Sequence, residues 1–196
     1  MFCEGSVTEP GYFAYIRSAL RDSLIHIEVS RERGDPLRLV EAARDQRADA
    51  DRRARRHKDD NLRYDEVWCV VDVDEHARLP AAEALAAREK IGIAVSNPCF
   101  ELWALLHLVD HRAFITSESA RNALRSCMPN YEKALDCAAM RGLYAVARGR
   151  ANALCEQHKR NGRSPSWNPS TDVWVLVDKM LEAARKSGVR TKSLEL

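Results

Sequence analysis

The stretch Tyr64–His76, YDEVWCVVDVDEH, decides how the rest of the chain is read. Val67–Val71 is a short unbroken apolar run, rich in valine with one aromatic residue. Such a run reads as a strand buried on both faces of a parallel sheet. Side chains two apart on a strand share a face, so Asp72 and Asp74 project together where the strand leaves the core, while Val73 turns the other way. Ligands of open α/β sheets gather at the carboxyl ends of the strands. Two parallel carboxylates repel each other there unless a hard cation such as Mg²⁺ lies between them, bound by carboxylate oxygens at roughly 2.0 to 2.1 Å. A bare D-x-D has a competing reading, in which Asp72 opens a turn that caps the helix near Pro80 and Asp74 faces water.

The chain has 196 residues, enough for one good-sized domain, or a core with an appended subdomain, without disulfide staples. Its six cysteines form no C-x-x-C pair, and several fall inside apolar runs. They read as reduced core thiols of a cytoplasmic protein rather than a zinc cluster. No signal peptide and no apolar stretch approaching the ~18 residues of a membrane span is present, so no membrane partner is expected. With a net charge of +2, any affinity for nucleic acid has to come from local clustering of the 31 Lys and Arg residues.

Outward from the central strand, Met1–Cys3 reads as the end of a first strand with Glu4 and Gly5 at its exit. Strands usually have about five or six residues, so an apolar segment encoded upstream of Met1 is expected. Thr8, Glu9 and Pro10 open a helix carrying Tyr12, Phe13, Ile16 and Leu20 on its core face. Leu24–Ser30 alternates like a strand near the sheet edge, and residues 37–57 form a long helix with a charge-dense tail. That tail reads as a solvated face with i, i+4 pairs, although Arg52, Arg53, Arg55 and Arg56 are the densest basic cluster and a place for phosphate contacts. Pro80–Lys90 is a crossover helix of high propensity. Gly92–Ser96 is a short parallel strand, with Asn97 as N-cap and Pro98 as first residue of the next helix. Glu101, early in that apolar helix, lies at the same end of the sheet as Asp72 and Asp74, either as a further acid of the site or as a residue favoured by the helix dipole.

Beyond His111 the spacing predicts no strand, with helices over 117–127, 131–140, 143–160 and 170–187. The polar loop 161–169 carries Trp167, and Lys159, Arg160 and Arg163 flank it. These groups could hold a polynucleotide strand by stacking and charge, though an exposed loop of this kind commonly has no such role. The expected fold is α/β, a small mostly parallel sheet of about four strands flanked by helices over residues 1–111, with an all-helical part over 112–196.

Acids at three strand exits resemble the Toprim arrangement, in which a glutamate after the first strand and a later D-x-D bind Mg²⁺ in enzymes that cleave or join nucleic acid. More narrowly, CEGSVTEPGYF (3–13), VVDVDEH (70–76), SNPCFELW (96–103) and NPST (168–171) resemble, in order and spacing, the motifs of the RloB-like family. The family's first strand is longer than the one here. The resemblance implies a Toprim-like, Mg²⁺- or Mn²⁺-dependent nuclease of restriction and phage-defence loci that acts on RNA such as tRNA, or on DNA. A partner ATPase is implied, and self-association is open. Glu4, Asp72 and Asp74 would be its metal-binding catalytic acids, with Glu101 beside them, and Glu9 and His76 match further motif positions. Water is the expected attacker, since no Ser, Cys or Tyr nucleophile is marked by a nearby base. Two other readings compete: a phosphatase-like D-x-D, which normally follows the first strand of its fold, and a noncatalytic module of an ATPase-containing defence complex.

Overall fold

The computed structural model describes residues 1–20, 27–73 and 78–186. Four strands, β1 (Phe2–Cys3), β2 (Trp68–Asp72), β3 (Gly92–Asn97) and β4 (Ser170–Thr171), form one sheet in that order. The first three run parallel and β4 runs antiparallel to β3. Seven helices accompany them among the described residues: α1 (Thr8–Ala19), α2 (Pro36–His57), α3 (Leu79–Glu89), α4 (Glu101–Leu108), α5 (Ser117–Cys127), α6 (Tyr144–Arg160) and α7 (Val173–Lys186).

Alternation along the strands divides the core into two apolar layers. The register aligns Cys3, Val70 and Ala94, which pack with Phe13, Phe100, Trp103, Leu124 and Val177 from α1, α4, α5 and α7. Phe2, Cys69 and Ile93 face the other way with Val71 and Val95, onto Leu39, Val40 and Ala43 of α2 and Ala82, Leu85 and Ala86 of α3. The central run is therefore buried on both sides, as its continuous hydrophobicity requires. Asp72 is two residues beyond Val70, on the α1 and α4 side, whereas Val73 packs with the α2 and α3 layer. All six cysteines are free thiols, and Cys3, Cys69 and Cys99 are buried.

Local chemistry sets the helix boundaries. Asp35 caps α2, its side chain accepting from the backbone N–H groups of Leu37 and Arg38 at 3.1 and 3.4 Å, with Pro36 in the first turn. Lys58 and Lys90 close α2 and α3 in left-handed geometry. Residues 24–26 of the strand expected over 24–30 lie outside the described residues, and residues 27–30 do not form a strand. The next segment still lines the sheet edge: the Met1 amino group donates to Glu28 O at 2.6 Å and Ser30 N to Met1 O at 2.7 Å. Those two bonds have the pattern of a parallel pair.

Three further expectations are corrected. β3 continues through Asn97 and α4 starts at Glu101, because Asn97 pairs with Ser170 in the ladder and its Nδ2 donates to Ser166 O at 2.8 Å rather than capping a helix. A strand does follow His111: β4 occupies the first residues of the helix expected over 170–187, too short for any periodicity to mark. The helix expected over 131–140 is only a 3-10 turn at Cys137–Met140, since Lys133 takes positive φ (83°) and the Asp136 carboxylate holds Ala138 N at 3.0 Å.

The join between β4 and α7 is made by Asp172. Its backbone N–H donates to Val95 O at 3.1 Å while its carboxylate accepts from Val95 N, and Ser96 Oγ lies 3.0 Å from Thr171 Oγ1. Burial raises the Asp172 carboxyl to about 6. A raised carboxyl penalises the folded state only when ionised, so the penalty is absent below the unfolded value near 3.8 and complete above about 6. Asp172→Asn keeps an acceptor for Val95 N. Its stability relative to the parent chain should rise between pH 4 and 7 by on the order of 2 kcal/mol, read from urea midpoints across that range.

Candidate active site at the strand ends

Parallel direction brings the exits of β1, β2 and β3 to one rim, and the first turns of α1 and α4 begin there. Glu4 follows β1, and its backbone N–H extends the ladder to Val70 O at 3.1 Å. Its Oε2 accepts from the Asp72 backbone N–H at 3.1 Å, so two acids of the expected set are adjacent although 68 residues separate them. Glu9 and Glu101 are both buried, in the first turns of α1 and α4. Glu101 thus stands at a helix start as well as at the rim.

Asp72 lies in the field of three other carboxylates. Asp72 is pushed well above the usual carboxylate range, first by burial and then by the charges of Glu9, Glu4 and Glu101, with the Phe100 backbone N–H opposing. Glu9 is raised by burial and by Glu101 and Glu4, against hydrogen bonds from backbone amides. One of those is Gly5 N, which donates to Glu9 Oε1 at 2.8 Å. A Cβ on Gly5 would collide with that carboxylate and push Glu9 off the amide it holds. Asp72 Oδ1 is buried with no hydrogen-bond partner. Buried polar atoms are rarely left this way, and an unpartnered oxygen among repelling carboxylates fits a hard cation bound by oxygen donors, Mg²⁺ or Mn²⁺. Among the described residues, no group of three or more Asp, Glu, His or Cys side chains is placed so that it could hold a metal ion. Asp74 and His76 lie outside the described residues.

Sequence reading missed the shell around Glu101. Tyr131 Oη donates to Glu101 Oε1 at 2.8 Å, and Arg121 Nε lies 3.5 Å from the same oxygen. Thr8 Oγ1 lies 3.4 Å from Tyr131 Oη and donates to Lys133 O at 2.9 Å. Burial raises the Tyr131 phenol, which stays protonated as a donor. Nothing local marks Tyr131 or Arg121, because their partner lies 20 to 30 residues away and on another helix.

The two basic groups part company. α2 runs back toward the rim where strands begin: Arg47 reaches Lys90 O, just before β3, and Arg52, Arg53 and Arg56 line a depression with Gln46 and Asp49 further along. Arg52 is paired with Asp49, and Arg55 is exposed on the same helix. Those arginines are thus not brought to the acids. Lys159, Arg160 and Arg163 are at the end of α6 and the start of its loop, where His158 Nε2 lies 2.9 Å from Pro169 O and Asn97 holds Ser166 O. That places them on the side where β3 leaves the sheet.

A family model described as RloB-like protein matches residues 1–180. The chain belongs to the RloB-like family. Every acid of the rim, β4 and most of α7 fall within the matched extent of this RloB-like protein. No curated protein and no solved structure matches it significantly. No described helix is long and apolar enough to cross a membrane.

Repulsion at Asp72 has a measurable consequence for the RloB-like chain without metal. Its raised carboxyl costs the fold nothing below the unfolded value and most above the folded one, so Asp72→Asn should stabilise the protein more at pH 8 than at pH 5. A single stabilising substitution commonly gains about 0.5 to 2 kcal/mol, and each kcal/mol moves Tm by about 2 to 4 °C in a chain of this size. The gain in Tm at pH 8 in EDTA should therefore be at least about 1 °C. Saturating Mg²⁺ should raise the Tm of the parent chain and leave that of the variant unmoved.

Proposed function

We propose that this RloB-like chain is a Toprim-type, metal-dependent nuclease that hydrolyses phosphodiester bonds in RNA such as tRNA, or in DNA, as an effector of anti-phage defence. The observation that carries the reading is the buried, unpartnered Asp72 Oδ1 beside Glu4 and facing the charges of Glu9 and Glu101. The defence role and the pairing with an ATPase rest on the resemblance carried by the four motifs.

Glu4 and Asp72, joined by Asp74, are the residues assigned to hold the ion. Bound there, Mg²⁺ or Mn²⁺ supplies activation of water and stabilises charge on the attacking and leaving oxygens. Glu9 is a positioning residue: its carboxylate grips Gly5 N and so fixes the turn that presents Glu4. Tyr131 and Arg121 fix the Glu101 carboxylate at the base of the same rim.

The test is to add Mg²⁺ or Mn²⁺ to purified protein with labelled tRNA, single-stranded RNA and plasmid DNA, with and without the neighbouring ATPase. Cleavage by the parent chain that falls at least about 100-fold in Asp72→Ala supports the nuclease. Failure of all substrates, ATPase included, favours a noncatalytic module that uses these acids only to hold a structural ion.

Glu9→Gln retains an oxygen acceptor for Gly5 N, whereas Glu9→Ala does not. The alanine variant should weaken Mg²⁺-induced thermal stabilisation and cleavage together, and the glutamine variant should restore most of both. Equal losses in the two would remove the positioning role.

A further inference from the structure

Phe114 and Trp167 are the most exposed large apolar side chains among the described residues, at 72% and 50%. They line one cavity of about 240 Å³ together with Asn97, Ser164, Ser166 and Asn168. Pockets that enclose drug-sized molecules run to roughly 300 to 1,000 Å³, so this one suits a single planar ring system.

The backbone that carries the two aromatic residues is held from behind. Ile115, next to Phe114, donates its N–H to Asn168 Oδ1 at 3.0 Å, and Asn168 Nδ2 returns a bond to Ile115 O at 2.8 Å. Asn168 Nδ2 also lies 3.2 Å from Asn97 Oδ1, and Asn97 Nδ2 holds Ser166 O. Trp167 N closes the loop onto Ser164 O at 3.0 Å. The NPST motif thus does more than form β4: its asparagine side chain bridges the segments that carry both rings. Fixing the backbone that carries both aromatic side chains before a ligand arrives removes part of the ordering cost of binding.

Charge and position indicate the occupant. Lys159, Arg160 and Arg163 lie in the stretch before β4, where Lys159 is paired with Glu156 at 2.8 Å and Arg160 and Arg163 face no carboxylate between Gln157 and Thr171 in the sequence. The Arg163 guanidinium lies 5.3 Å from the centroid of the Trp167 ring. Cations around a stacking face suit an anionic polymer with planar bases. Asn97, in the cavity lining, follows Ser96, the register partner of Asp72. The cavity is therefore on the rim that carries the acids.

We propose that Phe114 and Trp167 form a stacking subsite for an unpaired nucleobase, so that the polynucleotide taken by the rim is single-stranded or has a base turned out of its helix. The proposal rests on the nuclease reading for its substrate but is tested by binding alone. A fluorescein-labelled oligouridine is titrated into the full chain in EDTA, alongside a duplex of equal length and an abasic oligomer. Trp167→Ala and Phe114→Ala should each weaken oligouridine binding by roughly 5- to 150-fold, and Trp167→Phe should recover most of the loss. Neither alanine substitution should change binding of the duplex or the abasic strand, or shift Tm by more than about 2 °C. Oligouridine binding unchanged by both substitutions, or undetectable in the parent chain, overturns the subsite and leaves the rings to a protein partner. Trp167-dependent binding without cleavage in Mg²⁺ upholds the subsite and counts against the nuclease. Cleavage with binding indifferent to both rings does the reverse.

Discussion

Glu4 and Asp72 meet because the β1–β2 ladder brings Cys3 opposite Val70, one and two residues before the acids, and no attraction between the two carboxylates is involved. Hydrogen bonding in the sheet imposes a juxtaposition that the charges themselves oppose. Part of the opposition is relieved by donors: Asp72 N for Glu4, Gly5 N for Glu9, and Tyr131 with Arg121 for Glu101. Asp72 receives the least relief, keeping a buried Oδ1 without a partner and a carboxyl far above its usual range. A group left like this is where a positive charge gains most by binding.

The remaining architecture holds that arrangement against its own repulsion. Apolar layers on both faces fix the sheet, and α1 and α4 start at the rim with the positive ends of their dipoles toward the acids. Beyond β3, a short antiparallel strand and Asp172 tie α7 to Val95, which keeps the last parallel strand in register next to Ser96. Asn168, at the start of that connection, also braces the loop bearing Trp167. The same few residues therefore support the ladder under Asp72 and the aromatic cavity beside it.

What can be read from the sequence is whatever leaves a periodic or compositional trace. Val67–Val71, the Pro- and Asp-marked start of α2 and the apolar face of α7 are long or regular enough to identify, and the acids follow from their place after strands. β4 is two residues long, and its existence depends on pairing with Asn97 across more than seventy positions. Asn97 carries the local signal of a cap because Asn-Pro has helix-starting chemistry, which the ladder overrides. Tyr131 and Arg121 gain their meaning only once α4, α5 and the 129–136 segment pack together. The arginines of α2 are conspicuous by density alone, and density carries no information about which rim a helix end reaches.

The proposed stacking cavity and the acids lie on one edge of the sheet, and the proposed chemistry depends on a divalent ion being held between Glu4 and Asp72. Anomalous diffraction from crystals soaked in Mn²⁺ addresses this directly. The account predicts a peak at bonding distance from carboxylate oxygens of both residues, absent in crystals of Asp72→Asn. Well-ordered, saturated crystals showing Mn²⁺ only elsewhere, or bound at the rim without either carboxylate, would contradict it.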